Sequence, residues 1–135
     1  MNDNLLKEQL VILDDSLSSY LEVHDILFQQ HLGQELDYPT LLEKMRISIN
    51  ILESVESKVT ELLLLNDDHI VVRYIKSLKN AQEQLFMILK KLKEKSEGNS
   101  YGFFAYHKDV KNYESAQKEY RSLGNELQEY YQTLI

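Results

Sequence analysis

The stretch from Tyr38 to Leu65 carries an apolar stripe that only a helix with partner helices can bury. Its members are Tyr38, Leu41, Met45, Leu52, Val55, Val59 and Leu62. They follow one another at steps of three and four, interrupted only at Ser48, and such steps keep side chains on one face of an α-helix. The opposite face is rich in Glu, Lys, Arg, Asn and Ser. Because a single helix cannot bury this stripe, the rest of the chain must supply the partners.

Three further segments repeat this spacing, and together the four predict an all-α protein. The predicted helices cover about residues 3–32, 39–65, 68–95 and 103–134. The chain has 135 residues with four Gly and one Pro, which favours one domain built from long helices with few turns. Short connections predict an up-down-up-down four-helix bundle with coiled-coil-like packing that spans residues 1–135. The alternative is a long helical hairpin that is completed by dimerisation.

Several residues predict where these helices begin and end. Gly33 and Gly98 can take the left-handed conformation that closes a helix. Residues 40–43 match a capping box next to Pro39, which is tolerated in a first turn. Residues 66–68, Asn-Asp-Asp, supply a turn signal and an N-cap for the third helix.

The fourth predicted helix is unusually rich in tyrosine. Its side chains predict either core filling, with the hydroxyl at the rim of the bundle, or a surface that docks a partner. The candidate partner-binding residues are Tyr113, Tyr120, Leu127, Tyr130, Tyr131 and Leu134. Core filling is favoured for Tyr106, Tyr113 and Tyr120, whereas the two interpretations are evenly matched for residues 130–135. Gly124 lowers helix propensity and therefore predicts a close helix contact or a bend.

Charge and composition exclude some classes of partner and location. The net charge of −7 argues against nucleic acid and favours solubility or a basic partner. A cluster at Lys90, Lys91, Lys93 and Lys95 is best interpreted as offsetting a helix dipole. No apolar run predicts a membrane span, no signal peptide is visible, and the chain has no Cys. These features predict a cytoplasmic protein.

Sequence motifs predict no enzyme and no cofactor. His24 and His31 are seven apart on one helix face and form the candidate metal or ligand site. However, no His follows a Glu at the spacing of a di-iron site, and no HExxH occurs. Glycine-rich phosphate loops and a G-x-S-x-G elbow are missing too, although a Ser-His-Asp triad could be assembled in space. The Asp pairs at residues 14–15 and 67–68 are interpreted as a solvated helix face and a cap.

The order of features resembles that of the FlgN-type flagellar export chaperones and, more loosely, their FliT-type relatives. The resemblance lies in Leu5-Leu-Lys-Glu-Gln-Leu10, in Leu41-Leu-Glu-Lys44 through Ile51-Leu-Glu53, in Asn80-Ala-Gln-Glu-Gln-Leu85 and in Ser100-Tyr-Gly102. It implies a small cytoplasmic non-enzyme that shields an amphipathic helix of an export substrate. It also implies that the C-terminal, Tyr-rich helix binds the substrate, although here that region is a strongly patterned helix.

The sequence therefore predicts a non-enzymatic protein-interaction module that binds another protein, through an amphipathic helix, by helix-in-groove packing. A small export chaperone is the most specific form of this hypothesis, and an immunity, anti-defence or adaptor protein is its competitor. The other hypotheses are a metal- or ligand-binding bundle that uses His24 and His31, and a structural subunit that only self-assembles. A homodimer is compatible with each of them.

Overall fold

Four helices account for most of the computed structural model, which describes residues 3–29 and 36–134. They are α1 (Asp3–Phe28), α2 (Tyr38–Ser57), α3 (Ile70–Ser96) and α4 (Phe103–Gln132), and a π-helical turn (Lys58–Leu62) follows α2. No strand occurs in the described ranges. The predicted all-α four-helix bundle is confirmed. The predicted end of the first helix at residue 32, the closing Gly33 and the candidate ligand His31 lie outside the described residues.

Each helix packs antiparallel against the next one along the chain. On α3 and α4, for example, Lys91 pairs with Asp109 at 2.8 Å, whereas Arg73 near the start of α3 lies 3.7 Å from Glu126 near the end of α4. The apolar stripes of all four helices meet in one core. Its largest fully buried side chains include Leu6, Tyr20, Met45, Leu52, Ile75, Leu78, Leu85, Ile88, Leu89 and Tyr113.

Ser48, which interrupts the apolar stripe of α2, joins three helices through a buried hydrogen-bond network. Its hydroxyl donates to Gln82 Oε1 on α3 at 2.7 Å, and the amide nitrogen of Gln82 donates to Ser16 Oγ on α1 at 3.1 Å. The Ser16 hydroxyl lies 2.8 Å from the Ser48 hydroxyl and closes the ring. All three side chains are fully buried. The break in the stripe is therefore a polar contact inside the core.

The start of α2 differs from the predicted capping box. Asp37 is the N-cap, and its carboxylate accepts a hydrogen bond from the backbone N–H of Thr40 at 3.2 Å and from the Thr40 hydroxyl at 2.7 Å. Pro39 lies in the first turn, as predicted. A helix that starts at Tyr38 leaves the N–H of Thr40 without a partner in the helix, and the aspartate three residues earlier satisfies it.

The start of α3 also differs from the prediction, because His69 and not an aspartate is the N-cap. The Nδ1 atom of His69 accepts a hydrogen bond from the backbone N–H of Val71 at 3.1 Å. Burial lowers the pKa of His69, which favours the neutral ring that can accept. Residues 66–68 do form the predicted turn, since Asn66 Oδ1 accepts from the N–H of Asp68 at 3.0 Å.

The end of α3 is as predicted. Gly98 has a positive φ of 101° and occupies the C′ position after Ser96 and Glu97. The N–H of Gly98 bonds to the carbonyl of Lys95 and the N–H of Asn99 to the carbonyl of Glu94, which is the Schellman arrangement.

The predicted second helix ends differently, in a turn that places leucines alternately inside and outside. The π-helical turn carries Leu62 and precedes Leu64, which has a positive φ of 56°. Leu63 and Leu65 are buried, whereas Leu62 and Leu64 are exposed. The wider turn and the left-handed residue let two non-adjacent leucines reach the core, at the cost of backbone strain at Leu64.

Candidate functional site

The contact between α1 and α4 is more open than the contacts between consecutive helices. The backbones of consecutive helices lie closer together than those of α1 and α4, which meet through longer side chains such as Tyr20, His24 and Tyr113. A groove with a volume of about 800 Å³ lies along this boundary. We call it the α1/α4 groove. It is lined by Leu10, Val11, Leu13, Asp14, Leu17, Leu21, Tyr74, Tyr120, Arg121, Gly124, Asn125, Leu127, Gln128 and Tyr131.

The wall that α1 contributes to the α1/α4 groove is a ladder of leucines. Leu10, Leu17 and Leu21 recur at helical spacing on the side of α1 next to the buried core face. Leu10 is buried, but Leu17 and Leu21 are only half-buried, so their side chains expose apolar surface in the groove. The segment from Leu10 to Leu21 is about 16 Å long at 1.5 Å per residue, which matches about three turns of a helix.

The opposite wall and the floor come from α4 and α3. Tyr120, Leu127 and Tyr131 line the groove from α4, and Tyr74 of α3 lies beneath them. Gly124, which has no side chain, lies between Tyr120 and Leu127 on this wall. A Cβ atom at Gly124 would lie 3.3 Å from Cε2 of Tyr74, so the close helix contact predicted at this glycine is confirmed.

Polar and charged side chains lie at the rim of the α1/α4 groove. Asp14 lies on the α1 side, and Arg121, Asn125 and Gln128 lie on the α4 side. Arg121 forms no ion pair within the described part of the chain. Helix α1 as a whole carries six acidic residues and one basic residue, and Asp14 is the acidic residue of α1 that lines the groove.

A buried polar cluster joins α1 and α4 beyond one end of the groove. The hydroxyls of Tyr20 and Tyr113 are 2.6 Å apart, and the Tyr113 hydroxyl is 2.7 Å from Nδ1 of His24. The amide nitrogen of Gln117 lies 3.3 Å from the Tyr20 hydroxyl and 3.4 Å from Nδ1 of His24. We call these four residues the tyrosine–histidine cluster.

The proton positions in the tyrosine–histidine cluster follow from its donors. The amide of Gln117 can only donate through nitrogen, so its approach to Nδ1 of His24 favours a neutral ring with Nδ1 unprotonated. Tyr113 then donates to His24, Tyr20 donates to Tyr113, and Gln117 donates to Tyr20. Burial lowers the pKa of His24 and raises the pKa of both tyrosines, so all four groups are uncharged at neutral pH.

This cluster has neither a nucleophile nor a metal site among the described residues. A tyrosine whose pKa is raised by burial keeps its proton at neutral pH and therefore does not supply a base, and the neutral histidine is already hydrogen-bonded. No group of three or more His, Cys, Asp or Glu residues that could hold a metal ion occurs in residues 3–29 and 36–134. His69 contacts the ring of Tyr130 and His107 contacts that of Phe103, so neither shares a site with His24. The cluster therefore fits a structural role at the helix contact.

The candidate partner-binding residues of α4 fall into two groups. Tyr113, Tyr120 and Leu127 are buried, which agrees with core filling for both of these tyrosines, although the Tyr113 hydroxyl lies inside the bundle and not at its rim as predicted. Tyr106, for which core filling was also predicted, is only half-buried. The others, Tyr130, Tyr131 and Leu134, are half-buried and pack against the edge of the core. Half of the six border the α1/α4 groove: Tyr120, Leu127 and Tyr131.

The other wall of the groove, from α1 and α3, has no sequence signal that distinguishes it from the core. Leu10, Leu17 and Leu21 carry the same periodic signal as core residues, and Tyr74 belongs to the stripe of α3. One signal could have indicated the groove, namely the glycine at position 124 between the large residues Tyr120 and Leu127 on one face of α4. Both Asp pairs are exposed, which agrees with a solvated face at residues 14–15, but residues 67–68 do not cap α3 as predicted, because His69 is its N-cap.

No described helix is both long and apolar enough to pass through a lipid bilayer. Comparison of the chain with protein-family models, with curated proteins and with solved structures gives no match.

Proposed function

We propose that this protein is a non-enzymatic module that binds an amphipathic helix of another protein in the α1/α4 groove. The observation that carries the proposal is the half-buried leucine ladder, Leu17 and Leu21 above all, facing tyrosines across an open helix boundary. A helix with apolar residues at i, i+3 or i+4 and i+7 would cover this surface, as in other helix-in-groove complexes.

Charge supports a particular kind of partner helix. Because α1 is strongly acidic and Asp14 lies at the rim, a partner with basic residues beside its apolar stripe would be attracted and oriented. Arg121, on the α4 side of the groove, would form an ion pair with an acidic residue at the opposite edge of the partner's apolar stripe. The most specific form of this proposal is a small cytoplasmic export chaperone that shields such a helix, as the resemblance to FlgN-type chaperones implies.

Synthetic helical peptides can test the proposal directly. The first peptide has about four helical turns with a leucine stripe and lysines beside it. The second has glutamates instead of the lysines, and the third has the composition of the first in an order without a stripe. We expect the first to bind most tightly by fluorescence anisotropy, the second to bind more weakly, and the third not to bind.

Two substitutions separate the groove from the rest of the surface. Leu17→Glu places a charge in the groove and is expected to abolish peptide binding without unfolding the bundle, because Leu17 is only half-buried. Ile47→Glu, at an exposed position on α2 outside the groove, is the matched control and should leave binding unchanged. Equal binding of the striped and stripe-free peptides, or equal effects of the two substitutions, would refute the proposed function. Light scattering shows whether a second copy of the chain occupies the groove instead.

A further inference from the structure

The end of the bundle where α3 passes into α4 exposes two adjacent aromatic side chains. Phe103 is 69% exposed and Phe104 is 85% exposed, in the first turn of α4. Their rings are 5.5 Å apart and nearly perpendicular, and Phe103 also contacts the ring of His107 at 4.1 Å. Two neighbouring phenylalanines in water are costly, and a contiguous exposed apolar patch usually marks an interaction surface.

Lysines without ion pairs lie at the same end of the bundle. Lys91 forms an ion pair with Asp109, and Lys93 forms one with Glu97, so the charges of these two lysines are largely compensated. Four other lysines form no ion pair within residues 3–29 and 36–134: Lys90 and Lys95 on α3, and Lys108 and Lys111 on α4. We call Phe103, Phe104 and these four lysines the basic-aromatic end.

Helical spacing places much of this surface on one face of α4. Lys108 and Lys111 follow Phe104 by four and seven residues, so the three side chains share the outer face of the first turns. All three are exposed. The Lys91–Asp109 ion pair, together with the hydrogen bond from the Tyr101 hydroxyl to Asp109 at 2.6 Å, attaches this part of α4 to the end of α3.

We propose that the basic-aromatic end binds the surface of an anionic lipid membrane. Exposed aromatic side chains beside lysines suit the boundary between lipid headgroups and acyl chains, where the rings enter the apolar region and the amines meet the phosphates. The phenylalanines protrude from a helix start, whereas the residues of the α1/α4 groove line a concave surface that suits a helix.

Vesicle binding of the full chain tests this inference. We expect the protein to co-sediment with vesicles of mixed zwitterionic and anionic lipid, not with purely zwitterionic vesicles, and to be released as salt is raised. Each lysine near an anionic surface contributes about a fivefold change in partitioning, the equivalent of about 1 kcal/mol. The double substitution Lys108→Glu and Lys111→Glu is therefore expected to weaken partitioning by at least about 25-fold. Lys118→Glu, farther along α4, is the matched control.

A second pair of variants tests how the two phenylalanines contribute to vesicle binding. Phe103→Ser with Phe104→Ser should abolish co-sedimentation, whereas Leu62→Ser, at an apolar position that is 64% exposed at the other end of the bundle, should not. Because the chain has no Trp, Phe104→Trp and Leu64→Trp each introduce a single tryptophan, whose fluorescence can be excited separately from that of the nine tyrosines. Only the tryptophan at position 104 should shift its emission to the blue when anionic vesicles are added.

Each other outcome would overturn the inference. Failure of the wild type to bind anionic vesicles excludes a membrane surface as the partner, and binding of an acidic polypeptide in its place would make this end a protein-docking surface. Retention of vesicle binding by the double serine variant would show that only charge is involved. Circular dichroism of every variant checks that the bundle remains folded.

Discussion

Removing the buried hydroxyl of Ser48 is expected to destabilise the bundle far more than removing a serine hydroxyl from an exposed position. In the variant Ser48→Ala, the Oε1 atom of Gln82 loses its donor at 2.7 Å and stays fully buried. The Ser16 hydroxyl still reaches the backbone carbonyl of residue 48 at 3.0 Å, so one acceptor is orphaned and not two. A buried acceptor without a partner costs about 1–3 kcal/mol, and we expect about 2 kcal/mol.

Urea unfolding followed by circular dichroism measures this loss as a lower midpoint at unchanged slope. Thermal unfolding should show a fall in Tm of roughly 6–10 °C for a loss of about 2 kcal/mol in a chain of this size. The matched control is Ser54→Ala, since Ser54 lies on the same helix but is exposed, and its effect should be within about 0.5 kcal/mol.

The triple variant Ser16→Ala, Ser48→Ala and Gln82→Met tests whether the loss of stability comes from leaving a buried polar atom unpaired. Replacing every member of the network leaves no polar atom unpaired, so the triple variant should lose less stability than the single changes sum to. If Ser48→Ala costs no more than Ser54→Ala, or if the three effects simply add, the network does not contribute as a closed ring and the argument is wrong.

Three further predictions concern caps, protons and ion pairs. Asp37→Ala should lower the Tm measured by circular dichroism, because it removes the N-cap of α2, and an unchanged Tm would contradict the cap. Burial lowers the folded-state pKa of His24 and of His69 below 6.5, so the stability they contribute is present above that pH and is lost as the pH falls towards their folded pKa values. Urea unfolding at several pH values should show a smaller loss of stability on acidification in His24→Asn than in the wild type; a loss of the same size in both would refute the assignment. Asp109→Asn weakens an ion pair and a hydrogen bond at once and should cost about 1 kcal/mol in urea unfolding, and no measurable loss would contradict the importance of that contact.

Local patterns were sufficient to predict the helices and some of their ends. Periodicity placed α2 and α3 within a few residues of their observed starts, because the stripes face a real core. Gly98 closes α3 and Gly124 makes a close contact, since a glycine at either place has a local physical reason. The N-cap of α2 was misplaced because Asp37 and Thr40 are both good capping residues, and only the position of the helix start decides between them.

The features that were missed depend on residues far apart in the chain. Ser48 interrupts a local stripe, but its partners lie 32 and 34 residues away, on α1 and α3. Likewise, no periodic signal distinguishes a leucine that faces the core from Leu17, which faces an open helix boundary. The distance between two helices is set by the volumes of the side chains between them, which a single-helix pattern does not contain.

The volumes along α4 explain why its contact with α1 stays open. Tyr113 and Tyr120 both meet the ring of Tyr20, edge to face, with ring centres 6.5 Å and 6.0 Å apart, and rings in this arrangement keep the two helices separated. One turn farther along, Gly124 has no side chain, and a Cβ atom there would lie 3.3 Å from the ring of Tyr74, so Tyr74 approaches α4 closely at this point of the groove. The aromatic rings hold α1 and α4 apart next to a position without a side chain, and this leaves a groove between the two helices. The hydrogen bonds of the tyrosine–histidine cluster still join them. The bundle can therefore keep a stable core and an open apolar surface in the same molecule, which is the combination that a helix-binding protein requires.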